Sequence, residues 1–394
     1  MGSKKVKAIA FHGEKKRAVA FPDRLERFAK DTLERGKDSP GAQAYRRMGT
    51  PMLVAMNNAV GGFPSKYWHL GTFEGWEKIS AEALLERCQV KPNACLRCFM
   101  ACGNLSEIKE GRHRGLKIEG PEYETIYAFG GLCMVHEIEE IAFLNDICDR
   151  LGIDTISGGS LCAFAIEAAE MGRIQEKIGW GDVDKIAGLL HDIASKKGIG
   201  AVLAEGIRHA ASVWEMEDVA IHVKGLDPAG YDPRVLSGMG LAYATSDRGA
   251  CHLRTTFYKA ELSGMISSDQ MEGKAKLFLE FEDRFNIHDS LILCRFYRDI
   301  YWNWEYLSTM VEITTGLKLD EAGLRRISSN IQNETRRFNL QEGVTAKDDT
   351  LPKRFFDEPL GKEGKVIRRE VLERLLQDYY ALRGWNSEGI PKPR

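Results

Sequence analysis

The chain has 394 residues, a formal net charge of −2, 43% hydrophobic and 28% charged side chains. That is globular composition with enough apolar material for a sizeable core, which excludes a disordered chain; near-neutral charge excludes the basic footprint of a nucleic-acid binder. No apolar run reaches the roughly 18 residues of a membrane span, and Met1-Gly2-Ser3-Lys4-Lys5-Val6 lacks the apolar stretch of a signal peptide, so the expected location is cytoplasmic, away from the membrane.

Val6 to Phe11 alternates apolar and polar residues and predicts a short strand, with nothing strand-like following to pair with it. From Pro22 the pattern turns helical. Asp23 is placed to cap, Leu25, Phe28, Ala29 and Leu33 share a face, and Gly36 ends the segment. Asn57 to Gly75 interleaves Gly61, Gly62, Gly71 and Gly75 with Phe63, Tyr67, Trp68 and Phe73. Such a long loop is functional or pinned by its own packing. Farther on, Ile138, Ile141, Leu144, Cys148 and Leu151 recur at helical spacing, with Gly152 as C-cap. Residues 160–172, 183–197 and 203–214 predict further amphipathic helices. Leu324 to Phe338 and Ile367 to Tyr379 predict two more. Residues 345–365, polar with two prolines, predict an exposed connection. The predicted fold is mainly α, with two packed multihelical lobes.

The nine cysteines, in a reducing compartment, favour metal thiolates over disulfides. Cys95-Leu96-Arg97-Cys98-Phe99-Met100-Ala101-Cys102 is a C-x2-C-x3-C run that brings three thiols to one loop. A cubane cluster takes four thiolates, and Cys294 is a candidate fourth. Radical enzymes that use S-adenosylmethionine have the opposite order, C-x3-C-x2-C. A four-cysteine zinc site and three metal-free thiols are the alternatives.

Asp149-Arg150-Leu151-Gly152-Ile153-Asp154 and Asp289-Ser290-Leu291-Ile292-Leu293-Cys294 share the form D-x-x-x-[IL]-[CD]. Each Asp is either a helix cap or an acceptor for the N–H groups of a bound heterocycle. The small residues from Gly238 to Ala250 let backbone approach a ligand or let helices pack tightly. They lead to His252, a proton donor with an ordinary pKa of about 6.5, or a structural histidine. In Gly120-Pro121-Glu122-Tyr123-Glu124-Thr125 a turn precedes a helix. There Glu124 is a general acid or base if desolvated, and a surface residue otherwise.

In order and spacing, these segments resemble the aldehyde:ferredoxin oxidoreductase family over nearly the whole chain. The resemblance rests on Gly62-Phe63-Pro64-Ser65-Lys66, the cysteine run, Gly-Pro-Glu-Tyr-Glu, Asp-x-x-Gly-Ile-Asp, the segment ending at His252, and the distal Asp-x-x-x-Leu-Cys. It implies that Cys95, Cys98, Cys102 and Cys294 hold a [4Fe–4S] cluster. Asp149 and Asp289 would each hydrogen-bond one pterin of a tungsten (or molybdenum) bis-pterin centre. Glu124 and His252 would handle protons beside a metal that no side chain ligates. The implied activity oxidises aldehydes to carboxylates and passes electrons through the cluster to ferredoxin or another electron-transfer protein.

One departure is Ile292, where the family pattern has glycine. The other is length, because the family carries an N-terminal β-rich domain. Residues 1–20 resemble its tail, and a separate chain supplies that domain or the sequence is a fragment. The resemblance implies a first lobe of 21–156 plus about 203–222 and a second of 157–202 plus 223–394. A homodimer stays open. So do a related carboxylate or aromatic-ring reductase subunit and an iron–sulfur electron-transfer subunit without the pterin centre.

Overall fold

A computed structural model describes residues 6–15, 18–362 and 364–393. Helices dominate, and among the described residues there is one sheet, of three strands. No described helix is long and apolar enough to cross a membrane. The largest buried cluster joins distant stretches of sequence, including Phe63, Tyr127, Ile141, Phe164, Leu190, Tyr243, Phe278 and Tyr379. Smaller clusters form around Trp304, Leu307 and Leu324, and around Ala42, Tyr45 and Met100 beside the cysteine loop.

The helix Ile138–Leu151 forms on the predicted periodicity, and Gly152 closes it at φ 71°. The next helix, Thr155–Glu170, starts two residues later, where the Asp154 carboxylate accepts the Ser157 N–H at 2.9 Å. Its middle is buried all round, and a Cβ on Gly159 would sit 2.6 Å from Ala128, so glycine permits this close approach. The partner it approaches is Ile126–Leu132, a π-helical turn that starts two residues after Glu124. Such turns interrupt α-helices most often at functional sites.

Several expectations need correction. Val6 to Phe11 has no strand, and Phe11 is 92% exposed. A lone extended segment has no ladder to satisfy its backbone groups. Asp23 does not cap the first helix; Pro22–Gly36 begins on proline at its first position, with Phe21 before it. Residues 203–214 form two short helices, Ile199–Leu203 and Ile207–Val213, broken at Gly206, whose φ of 93° no helix continues. Residues 345–365 are not an exposed connection, because Asp349, Leu351, Arg354 and Phe355 are buried. Arg354 enters the interior because its charge meets Glu167 at 2.7 Å and the Tyr67 carbonyl at 2.6 Å.

The sheet was not expected. Strands β1 (Cys88–Asn93), β2 (Gly103–Ile108) and β3 (Lys117–Glu119) run antiparallel in that order. The register from Cys88↔Ile108 to Asn93↔Gly103 makes the whole Cys95–Cys102 run the loop of one hairpin. Pro92 is tolerated because β1 is an edge strand.

Candidate functional site

The hairpin loop is held open by backbone that few side chains favour: Arg97 and Ala101 both have positive φ, at 61° and 47°. Cys95 lies exposed, while Cys98 and Cys102 are half-buried. The exposed Cys294 comes from a turn about 190 residues away in sequence, yet it is close enough for its charge to act on Cys102. Burial pushes the Cys102 thiol up to about 12, and Cys294, Glu122 and Cys98 add to the shift. Cys98 goes the other way. Burial opposes its ionisation, but the Tyr297 hydroxyl at 3.3 Å and the N–H groups of Ala101 and Met100 outweigh it and hold the thiol below its ordinary range. Tyr297 was not singled out in the sequence; an aromatic three residues after Cys294 was the available signal. Among the described residues, no three His, Cys, Asp or Glu side chains converge closely enough to hold a single ion.

A second group centres on Glu124. It stands at the start of the short helix Tyr123–Thr125, and its Oε2 accepts the Gly230 N–H at 2.9 Å. Its Oε1 is buried with no hydrogen-bond partner and lies 3.6 Å from Nε2 of His252. Burial pushes the Glu124 carboxyl up to about 8, against the Gly230 N–H, which favours the charged form. Burial, with the nearby charges of Arg248 and Arg295, pushes His252 down to about 3. Both shifts favour a proton on Glu124 over one on His252.

The Pro228–Gly230 segment that anchors Glu124 is pinned through its carbonyls. Tyr127 donates to Pro228 at 3.1 Å, Tyr243 to Ala229 at 3.0 Å, and Tyr123 to Gly230. The Tyr231 ring stacks on Tyr258 with centroids 4.0 Å apart and reaches His252 at 5.8 Å. The sequence reading missed this tyrosine collar, because Tyr123 and Tyr127 lie more than 100 residues from the Pro228–Gly230 carbonyls they hold.

The two Asp-containing motifs fold alike. In one, Ile153 N–H donates to the Cys148 carbonyl and Gly152 N–H to that of Asp149; in the other, Leu293 N–H donates to His288 and Ile292 N–H to Asp289. Both are helix-ending turns with a left-handed residue, Gly152 at φ 71° and Ile292 at φ 57°. The family glycine thus marks a backbone requirement, which Ile292 meets under strain. Ile292 is 90% exposed and has little packing to lose. Replacing it by glycine is expected to stabilise the protein by about 1 kcal/mol in chemical denaturation. A loss of stability would mean that contacts hold the isoleucine side chain.

Asp149 and Asp289 both sit in the last turn of a helix, the end where a carboxylate is disfavoured by the helix dipole. Asp149 is exposed, accepts the Asn145 amide at 2.8 Å, and is raised in pKa mainly by desolvation. It is not a cap; that part falls to Asp154. Asp289 is half-exposed and faces Arg295 and Arg254. Buried hydroxyls of Ser246, Thr255 and Thr256, on the segment that carries His252, also have no partner.

Against this geometry, a family model for aldehyde ferredoxin oxidoreductase, domains 2 and 3, matches residues 27–394. The chain belongs to the aldehyde ferredoxin oxidoreductase family. It is 32% identical over 420 residues to the tungsten-containing aldehyde ferredoxin oxidoreductase of Pyrococcus furiosus, covering 100% of this chain and 67% of that protein. The WOR-like subunit of an aliphatic sulfonate oxidoreductase, also from Pyrococcus furiosus, is 27% identical over 418 residues, covering 100% of this chain and 63% of that one. In fold, the chain is similar to the active-site complex BamBC of benzoyl coenzyme A reductase, solved in complex with 1,5-dienoyl-CoA. That match has a TM-score of 0.72 and 17% identity, and covers 96% of this chain and 65% of that chain. The aldehyde ferredoxin oxidoreductase relatives thus share a mainly helical region with this chain and extend beyond it.

Proposed function

We propose that this chain oxidises aldehydes to carboxylates at a tungsten (or molybdenum) bis-pterin centre and passes electrons through a [4Fe–4S] cluster to ferredoxin or a similar carrier. The observation that carries the reading is the half-buried Glu124–His252 pair, 3.6 Å apart, with an acid and a neutral base held side by side. The residues fit the implied groups. Buried polar atoms without partners cost about 1–3 kcal/mol each; Glu124 Oε1 is such an atom, as are the hydroxyls of Ser246, Thr255 and Thr256 on the segment that carries His252. Cys98 and Cys294 both act electrostatically on Cys102, so the hairpin loop and the distal turn bring thiols to one region, as a cubane needs, where each thiolate takes its own iron. Asp149 and Asp289 are the expected acceptors for pterin N–H groups.

When bound, the metal–pterin centre would supply the two-electron oxidation and the cluster the one-electron exit. The chain's own part is to orient and to move protons. Protonated Glu124 donates a hydrogen bond to the carbonyl oxygen of the aldehyde, which polarises it. Neutral His252 accepts the proton released as water adds to the carbonyl carbon. The tyrosine collar fixes Gly230 and with it the Glu124 carboxyl.

Turnover is therefore expected to fall as the pH rises through about 8, where Glu124 loses its proton. A pH profile of kcat that rises through this range would contradict the acid assignment. The same raised pKa affects folding. The native state keeps a proton that the unfolded chain releases in the ordinary carboxylate range, so this group lowers stability as pH rises from that range to about 8.

Aldehyde-dependent reduction of ferredoxin by the anaerobically purified protein tests the activity; no reduction with any aldehyde would remove it. A second reading is a subunit of a larger oxidoreductase with another substrate. It is favoured by the match to domains 2 and 3 alone and by the WOR-like subunit among the relatives. A chain that co-purifies and activity on an acid or aromatic substrate would favour that reading.

A further inference from the structure

Cys294 is followed by an arginine whose guanidinium is used on every side. Nε of Arg295 donates to the Leu253 carbonyl, next to His252, at 2.8 Å. One terminal nitrogen donates to both Asp289 oxygens, at 2.9 Å each, and the other to the Phe285 carbonyl at 3.4 Å. The plane lies over the Phe285 ring, 4.3 Å from its centroid, and the side chain is 13% exposed. Arg254, two residues after His252, adds a contact to Asp289 at 3.3 Å while holding Asp247 at 2.8 and 3.2 Å. One rigid group thus ties together the end of the helix Lys274–Ser290, the segment that carries His252, and the turn that carries Cys294.

Only arginine can do this, because its planar fork presents five donors at fixed angles and stays charged. A carboxylate has about four acceptor sites. The grip on Asp289 therefore uses part of them, sets the direction of the rest and leaves them free. It also offsets the cost of a carboxylate at a helix C-terminus.

We propose that Arg295 is a positioning residue that aims Asp289 at the bound pterin and fixes a positive charge on the residue that follows Cys294, so that one side chain couples the two cofactor sites. This rests on the function proposed above. The outer contacts of metal sites commonly work in this way, and their removal costs roughly 10–100-fold in affinity.

The test compares Arg295→Gln and Arg295→Lys with the parent, all purified anaerobically after growth with tungstate. Iron, sulfide, tungsten or molybdenum, the midpoint potential of the cluster and the melting temperature are measured. The glutamine variant is expected to keep its iron and sulfide, lose most of its tungsten or molybdenum per iron, and show a more negative midpoint potential. The shift follows because a nearby cation favours the reduced cluster. The lysine variant is expected to restore the potential, since the charge returns, but not the metal, since the fork does not. Parent-like metal ratio and potential in both variants would overturn the proposal. So would iron and tungsten falling together in step with the melting temperature, which marks a merely structural residue. A parent with neither a cluster nor tungsten or molybdenum would instead overturn the function itself, and this proposal with it.

Discussion

Replacing Glu124 by glutamine is expected to lower aldehyde turnover by about 100-fold or more while leaving iron and tungsten content unchanged. Glutamine is close in size and can still meet the Gly230 N–H, but it cannot release a proton. Oε1, the atom 3.6 Å from His252, has no hydrogen-bond partner in the protein, so the substitution breaks no structural hydrogen bond there. The variant should also lose the fall in turnover around pH 8, because the titrating group is gone. Turnover equal to the parent's would remove Glu124 from proton transfer. A parallel loss of metal would assign it to cofactor retention.

Replacing Cys102 by alanine is expected to remove most of the iron, and the visible absorption with it. This thiol sits between Cys98 and Cys294 electrostatically, and burial alone would keep it protonated, with a pKa near 12. A metal-bound thiolate there gains from the cluster's positive charge what it loses by burial. The control is Cys88→Ala. Cys88 is on β1, buried, and pushed up to about 11 by the same desolvation, yet it faces the core at the foot of the hairpin. Its loss should lower the melting temperature and leave iron per chain unchanged. Iron retained in Cys102→Ala, or lost equally from Cys88→Ala, would remove Cys102 from the cluster.

The helical fold was legible because its helices carry long, regular apolar periods with capping residues, as in Ile138–Leu151 and Gly152. The cysteine run was legible as a unit, but its setting was not. β1 alternates only from Cys88 to Lys91 before Pro92 breaks the pattern, and β3 is only three residues long, so both period-2 signals were too short to read as strands. The buried stretch around Arg354 was misread because composition does not reveal a partner, and its charge is matched by Glu167, 187 residues away. The departure at Ile292 was visible in the sequence as a lost glycine. Its meaning needed the backbone: the left-handed turn survives the substitution, and Asp289 stays in the same kind of turn as Asp149. The partner of Glu124 was out of reach, since Gly230 lies 106 residues away and carries no side chain to notice.

The most direct test of the account is metal and acid-labile sulfide analysis of the anaerobically purified protein. The account predicts about four iron and four sulfide per chain, together with tungsten or molybdenum in stoichiometric amount. Zinc in place of iron, or no bound metal and no sulfide, would contradict it.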